Sequence, residues 1–168
     1  MKNIYLIGMP SSGKSTLGRR LADALHYRFV DTDRMIVREE KKTISAIFAD
    51  AGEAYFRQVE SRVLRKIRPG RSLVISTGGG MPCFHNNMDY IRATGISVFL
   101  DVPPQTLLER MRAHAADDRP LFSQADADLL TTLTEKHRLR LPYYTQADIT
   151  ISGETDELEL LRQLGEWL

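Results

Sequence analysis

Near the amino terminus, Gly8-Met9-Pro10-Ser11-Ser12-Gly13-Lys14-Ser15 fits the pattern G-x-x-x-x-G-K-[ST]. Such a loop holds phosphate because its glycines let backbone N–H groups approach anionic oxygens, while the lysine adds a cation and the hydroxyl a metal ligand. The chemistry requires a strand before the loop and a helix after it. Ile4-Tyr5-Leu6-Ile7 precedes it, and an amphipathic run carrying Leu17, Leu21, Ala24 and Leu25 follows. On this reading Lys14 reaches the β- and γ-phosphates from a surface loop, Ser15 ligates Mg²⁺, and the remaining loop residues with Thr16 complete the phosphate cradle.

Further down the chain, Phe29-Val30-Asp31-Thr32-Asp33 ends an apolar run with two carboxylates, at the strand edge where open parallel sheets bind ligands. Residues two apart on a strand share a side, so both acids are expected to face the γ-phosphate, one serving the metal's water shell and the other an alcohol proton. A second role for Asp33, as the cap of the next helix, stays open. Thr77-Gly78-Gly79-Gly80-Met81-Pro82 removes side chains from a stretch of backbone, allowing close approach of a ligand and positive φ at little strain. Arg57 and Glu60 have the spacing of an ordinary surface ion pair on a helix. Arg112 and Arg119 flank a polar stretch, and Arg138 and Arg140 end a helix that Pro142 is expected to stop. His26, His85, His114 and His137 show neither metal spacing nor a nucleophile partner. Cys83 reads as a small core residue.

The elements that must position these groups follow from periodicity. Apolar runs at Asn3 to Ile7, Tyr27 to Val30, Ser72 to Ser76, Ile96 to Leu100 and Ala147 to Ile151 are candidate strands. Helical stripes lie between them, among them Phe56, Val59, Val63, Leu64 and Ile67; Leu107, Leu108 and Met111; Leu129, Leu133 and Leu141; and a last stripe at Leu158, Leu161, Leu164 and Leu168. Strands buried on both faces and alternating with helices give an α/β three-layer sandwich around a parallel sheet. Two stretches break the alternation and are expected to cover a site: Arg34 to Arg68, with helices but no strand, and the polar Ala113 to Ala127.

At 168 residues the chain is one domain by length. Lys and Arg total 23 against 22 Asp and Glu, a net charge of +1, so it lacks the field of a general nucleic-acid or membrane-surface binder and local charge must do any anion recognition. No apolar run is long enough to span a bilayer, and the start of the chain shows no signal segment, which predicts a cytoplasmic protein. A single cysteine excludes an internal disulfide.

Taken in order, the phosphate loop with Ser15-Thr16-Leu17-Gly18, the Asp31-Thr32-Asp33 strand end, Phe56-Arg57-x-x-Glu60, the glycine triplet, Arg119-Pro120-Leu121 and Arg140-x-Pro142-x-Tyr144 resemble the shikimate kinase family, small kinases of the nucleoside-monophosphate-kinase-like P-loop group. The resemblance runs nearly end to end. It implies five parallel strands in the order 2-3-1-4-5 and a single kinase domain over 1–168, with a substrate-binding helical insertion at about 34–68 and a lid at about 113–127. It implies ATP-dependent phosphorylation of the 3-hydroxyl of shikimate to shikimate 3-phosphate and ADP, with Mg²⁺ as cofactor and two small molecules as the only partners of a monomeric enzyme. By the same resemblance Asp33 binds substrate hydroxyls and is the candidate base, and Asp31 supports the metal through water. Arg57 and Arg140 grip the carboxylate, with Gly78, Gly79 and Gly80 beside it. Arg119 on the lid meets the phosphates, and Arg112 flanks the adenine. Three residues depart from the family's pattern: Ser11 in place of a glycine, Asp117-Asp118 before the lid arginine, and Tyr143 in place of a leucine at a packing position.

Overall fold

The computed structural model describes residues 1–114 and 128–168. The expected lid beyond His114, with Asp117, Asp118 and Arg119, lies outside the described residues. Among those described, five strands form one parallel sheet: β1 (Asn3–Ile7), β2 (Arg28–Asp31), β3 (Leu73–Ser76), β4 (Gly95–Asp101) and β5 (Ile149–Ser152). Their order is β2-β3-β1-β4-β5, as the resemblance implies.

Both faces of the sheet are covered, which is why its strands read as unbroken apolar runs rather than alternating ones. On one face Ile4, Leu6, Val74, Val98 and Ile149 pack against Leu17 and Leu21 of α1 (Lys14–Leu25) and Leu160 and Leu164 of α7 (Glu157–Leu164). The intervening residues Tyr5, Ile7, Ile75 and Phe99 point the other way. They meet Leu64 of α3 (Ile44–Arg65), Ile91 of α4 (Asn87–Thr94), Leu107 of α5 (Pro104–Ala113), and Leu133 and Tyr144 of α6 (Leu129–Tyr144). A smaller cluster of Ile36, Ile47, Phe56, Val59 and Val63 joins α2 (Thr32–Glu40) to α3. Within α3, Gly52 adopts φ 80° and ψ 175° and breaks the helix, so three helical pieces separate β2 from β3. Among the described residues, no helix is long and apolar enough to cross a membrane.

Three expectations are corrected. Pro142 does not stop α6, which continues to Tyr144. Proline removes only one N–H from the ladder here, and Thr145 N–H resumes the bonding to Leu141 O at 2.9 Å. Tyr143, expected at a packing position, is 39% exposed, and it is Tyr144 that is fully buried. The stripe assigned to α7 holds only in part: Leu161 and Leu164 pack against the core, and Leu160 joins them. Leu160 and Leu164 are buried, whereas Leu158 is 70% exposed and Leu168 48% exposed. The amphipathic spacing admits either phase in so leucine-rich a segment, and packing against the sheet selects Leu160 and Leu164; Asp156 caps the helix, accepting from Glu159 N–H at 2.9 Å.

Leu160→Ala should therefore destabilise the protein by about 3 kcal/mol, and Leu158→Ala by less than about 0.5 kcal/mol. Urea unfolding of both variants checks the phase; equal losses would restore the earlier one.

Candidate active site

The phosphate loop joins β1 to α1 and is built on left-handed backbone. Gly8 has φ 146°, and Gly13, at the amino terminus of α1, has φ 94°. Ser11, where the family pattern has glycine, also takes a left-handed φ of 64°. The loop therefore keeps the glycine conformation despite the serine, at a local strain of about 1 kcal/mol. Lys14 is not the surface lysine expected. It is buried, and its Nζ donates to Gly8 O at 2.9 Å, Met9 O at 2.7 Å and Ser12 Oγ at 3.3 Å, so the loop closes around the ammonium. Arg110 of α5, which sequence reasoning missed, donates to Ser11 O at 3.2 Å. No local signal distinguishes it from Arg112, the other basic residue of α5. Arg112 is exposed at the end of that helix, and Arg110 and His114 from the same region line the cleft.

The two acids divide differently from the strand argument. β2 ends at Asp31 and α2 begins at Thr32, so alternation along a strand does not relate Asp31 to Asp33. Asp31, not Asp33, is the cap: its Oδ1 accepts from Asp33 N–H at 3.0 Å and Arg34 N–H at 3.3 Å. Its Oδ2 accepts from Ser15 Oγ at 3.2 Å, and Ser76 Oγ lies 3.1 Å from the same hydroxyl. Such oxygen donors suit a hard cation such as Mg²⁺. Among the described residues no cluster of three His, Cys, Asp or Glu stands ready to hold a metal, so an ion here would need further ligands from phosphate or water. Thr32, between the acids, is fully buried and accepts from Gly78 N–H at 3.0 Å, fixing the start of the glycine triplet.

That triplet follows β3, and none of its members has positive φ. The expected use of left-handed backbone there is corrected: the missing side chain is what counts. A Cβ on Gly78 would fall 2.9 Å from both Asp33 Oδ1 and Glu60 Oε1. On Gly79 it would lie 2.8 Å from Pro10 Cδ and 3.0 Å from Arg140 Nη1, and on Gly80 2.7 Å from the Arg57 guanidinium carbon. Charged side chains from α2, α3 and α6 and the phosphate loop thus converge on bare backbone. Arg57 and Arg140, distant in sequence, lie against consecutive glycines.

Nor is Arg57 with Glu60 a surface pair. The residues are 4% and 1% exposed, and Arg57 Nη1 donates to Glu60 Oε2 at 2.8 Å. Arg57 Nη2 donates to Glu53 Oε1 at 3.1 Å, and the guanidinium stacks 4.4 Å from the Phe84 ring. Burial pushes the Glu60 carboxyl up to about 7 against the pull of Arg57. Tyr144 donates to Gly79 O at 2.6 Å from beneath the triplet. Cys83 is half-buried, and burial pushes its thiol up to about 11, leaving it unreactive at neutral pH.

Lys14, Ser15, Asp31, Asp33, Arg57, Glu60, the three glycines and Arg140 line one cleft of about 640 Å³, with the phosphate loop along it and Ile44, Phe48 and Phe56 as apolar wall. A phosphate loop opening into a cleft of small-molecule size, with acids between cations, defines a P-loop phosphotransferase acting on a small anionic acceptor. Residues 10–168 match the sequence profile described as shikimate kinase, and the chain belongs to the shikimate kinase family. The shikimate kinase of Persephonella marina is 40% identical over 154 residues, covering 92% of this chain and 90% of the relative. Among solved structures, shikimate kinase from Acinetobacter baumannii in complex with shikimate is similar at TM-score 0.88 and 32% identity, over 99% of this chain and 92% of the other. The enzyme from Bacteroides thetaiotaomicron is similar at TM-score 0.87 and 34% identity, over 98% and 97%.

A Glu60 carboxyl near 4.5 in the unfolded chain and about 7 in the folded one gives the native state the extra proton between those values. Its contribution to stability is thus fully present below about 4.5 and lost as pH rises through about 7. The stability of the wild type minus that of Glu60→Gln should accordingly fall across this window in urea unfolding at graded pH. A pH-independent difference would contradict the assignment.

Proposed function

We propose that the chain transfers the γ-phosphoryl group of ATP to the 3-hydroxyl of shikimate, giving shikimate 3-phosphate and ADP. One observation carries the reading: Arg57 and Arg140 lie against adjacent glycines in the cleft that also holds the phosphate loop. Two guanidinium groups suit one carboxylate, through paired charge-assisted bonds. Membership of the shikimate kinase family supports the choice of acceptor.

In this reading the acceptor's carboxylate sits between Arg57 and Arg140, and Glu60 and Glu53 hold the Arg57 fork in place. Asp33 binds substrate hydroxyls and takes the proton as the acceptor oxygen bonds to the γ-phosphorus and the bond to the bridging oxygen of ADP breaks. Lys14 turns from the loop carbonyls to the β- and γ-phosphates, so the closed loop is the resting form of the cradle. Ser15 and Asp31 are the residues that would hold Mg²⁺, Asp31 through water, with Ser76 supporting the Ser15 hydroxyl. The bound ion supplies neutralisation of phosphate charge. Arg119 supplies a further cation to the phosphates. Most of the rate enhancement then comes from alignment and fixed charge rather than covalent chemistry.

An assay of ADP release with shikimate, gluconate and nucleoside monophosphates tests the acceptor; turnover confined to shikimate is expected. Arg57→Leu should raise the KM for shikimate strongly, by an amount corresponding to about 2–5 kcal/mol, and leave that for ATP nearly unchanged. Against a shikimate analogue carrying a neutral amide in place of the carboxylate the same substitution should matter little, because a real contact makes the losses non-additive. Equal harm with both acceptors would refute the carboxylate clamp.

The two acids separate by metal dependence. Asp33→Asn should lower turnover at unchanged Mg²⁺ requirement, whereas Asp31→Asn should raise the Mg²⁺ concentration for half-maximal rate. Superimposable Mg²⁺ titrations of the two variants would overturn this division.

A further inference from the structure

On the outer side of β2 lies a second cleft, of about 580 Å³, that meets the first only at Asp31. Six arginines surround it: Arg19 from α1, Arg28 from β2, Arg34 and Arg38 from α2, and Arg68 and Arg71 from the turn between α3 and β3. Its one acid, Asp31, is already engaged by Ser15 and by the start of α2. Its one lysine, Lys66, is paired with Glu39.

Elsewhere on the surface several arginines are matched with carboxylates. Arg62 meets Glu40 at 2.6 Å, Arg138 meets Glu135 at 2.7 Å and Arg162 meets Glu159 at 2.7 Å. Among the described residues, none of the six groove arginines makes an ion pair. In a chain of net charge +1 that is a marked local excess. We propose that this groove is a second binding site, for a small molecule carrying two or more phosphoryl groups.

The site is built rather than a chance gathering of surface side chains. Asn3, fully buried, clamps the turn at both ends: its Nδ2 donates to Arg68 O at 2.9 Å, and its Oδ1 accepts from Arg71 N–H at 3.0 Å. Gly70 between them takes a left-handed φ of 70°. Arg19 is held over the Phe29 ring at 4.6 Å. Phe29, Val30, Ile67 and Leu73 give the groove an apolar floor that suits a carbon skeleton between charged ends. Guanidinium groups recognise phosphoryl oxygens through paired bonds, so six of them without carboxylate partners exceed what a single phosphate engages. The volume fits a small molecule. A chain so close to neutral lacks the extended field that carries nucleic-acid binding, which makes the discrete ligand the better match.

The test uses the full chain with its catalytic cleft filled by shikimate and a non-hydrolysable ATP analogue with Mg²⁺. Fructose 1,6-bisphosphate is then titrated by calorimetry at one fixed ionic strength, with inorganic phosphate and a short single-stranded DNA as separate arms. One equivalent of bisphosphate should bind, at least about tenfold more tightly than inorganic phosphate. Arg28→Ser with Arg71→Ser should weaken it about tenfold or more while turnover without bisphosphate is unchanged; Arg34→Ser with Arg38→Ser is the second pair. Absence of binding to the filled enzyme, affinity no better than inorganic phosphate, or undiminished affinity in both pairs overturns the proposal. DNA binding tighter than the bisphosphate overturns it in favour of a nucleic-acid surface.

Discussion

Arg57 and Glu60 face each other at 2.8 Å, almost out of water. Removing one member of a buried pair costs about 3–5 kcal/mol where nothing compensates the charge left behind; here Glu53 remains beside Arg57 at 3.1 Å, and Glu60 can take a proton. Much of the site is arranged around that pair. Gly80 must lack a side chain because the guanidinium occupies the space a Cβ would need, and Gly78 must lack one because Glu60 and Asp33 press on it from the other side. The bare backbone is in turn held at both ends, by Thr32 at the Gly78 N–H and by Tyr144 at the Gly79 carbonyl. The ion pair thus sets the floor of the cleft as well as the direction of one arginine.

The phosphate loop obeys a related constraint. With its ammonium bonded to loop carbonyls, Lys14 satisfies oxygens that would otherwise lie buried and unpaired. The left-handed Ser11 is supported from α5 by Arg110 at its carbonyl. Asp31 shows the same economy of groups: one oxygen begins α2 while the other holds the Ser15 hydroxyl, so the start of that helix and the candidate metal site share a residue.

Charge is distributed unevenly over a nearly neutral chain. Cations in the cleft face acids across it, whereas among the described residues the arginines beside β2 make no ion pair. Net charge says nothing about either arrangement, because both depend on which elements the parallel crossovers bring to one edge of the sheet.

The fold was readable from residue order alone. Apolar strand runs of the β1 kind and the loop pattern before α1 were enough for the layers, and the ordered set of motifs for the family, whose resemblance brought the strand order with it. Local pattern failed where two phases or two roles were equally compatible with it. Leucine spacing did not choose between Leu158 and Leu160 on α7, and proline at 142 did not reveal that one lost N–H could be absorbed near a helix end. The sequence showed that Gly78 to Gly80 lack side chains; only packing shows which groups occupy the vacated space. Burial of Arg57, Glu60 and Lys14, the capping role of Asp31 and the reach of Arg110 to Ser11 all depend on contacts between segments far apart in the chain. Those contacts are decided by tertiary structure, because whether a charge is solvated or paired depends on what folds over it.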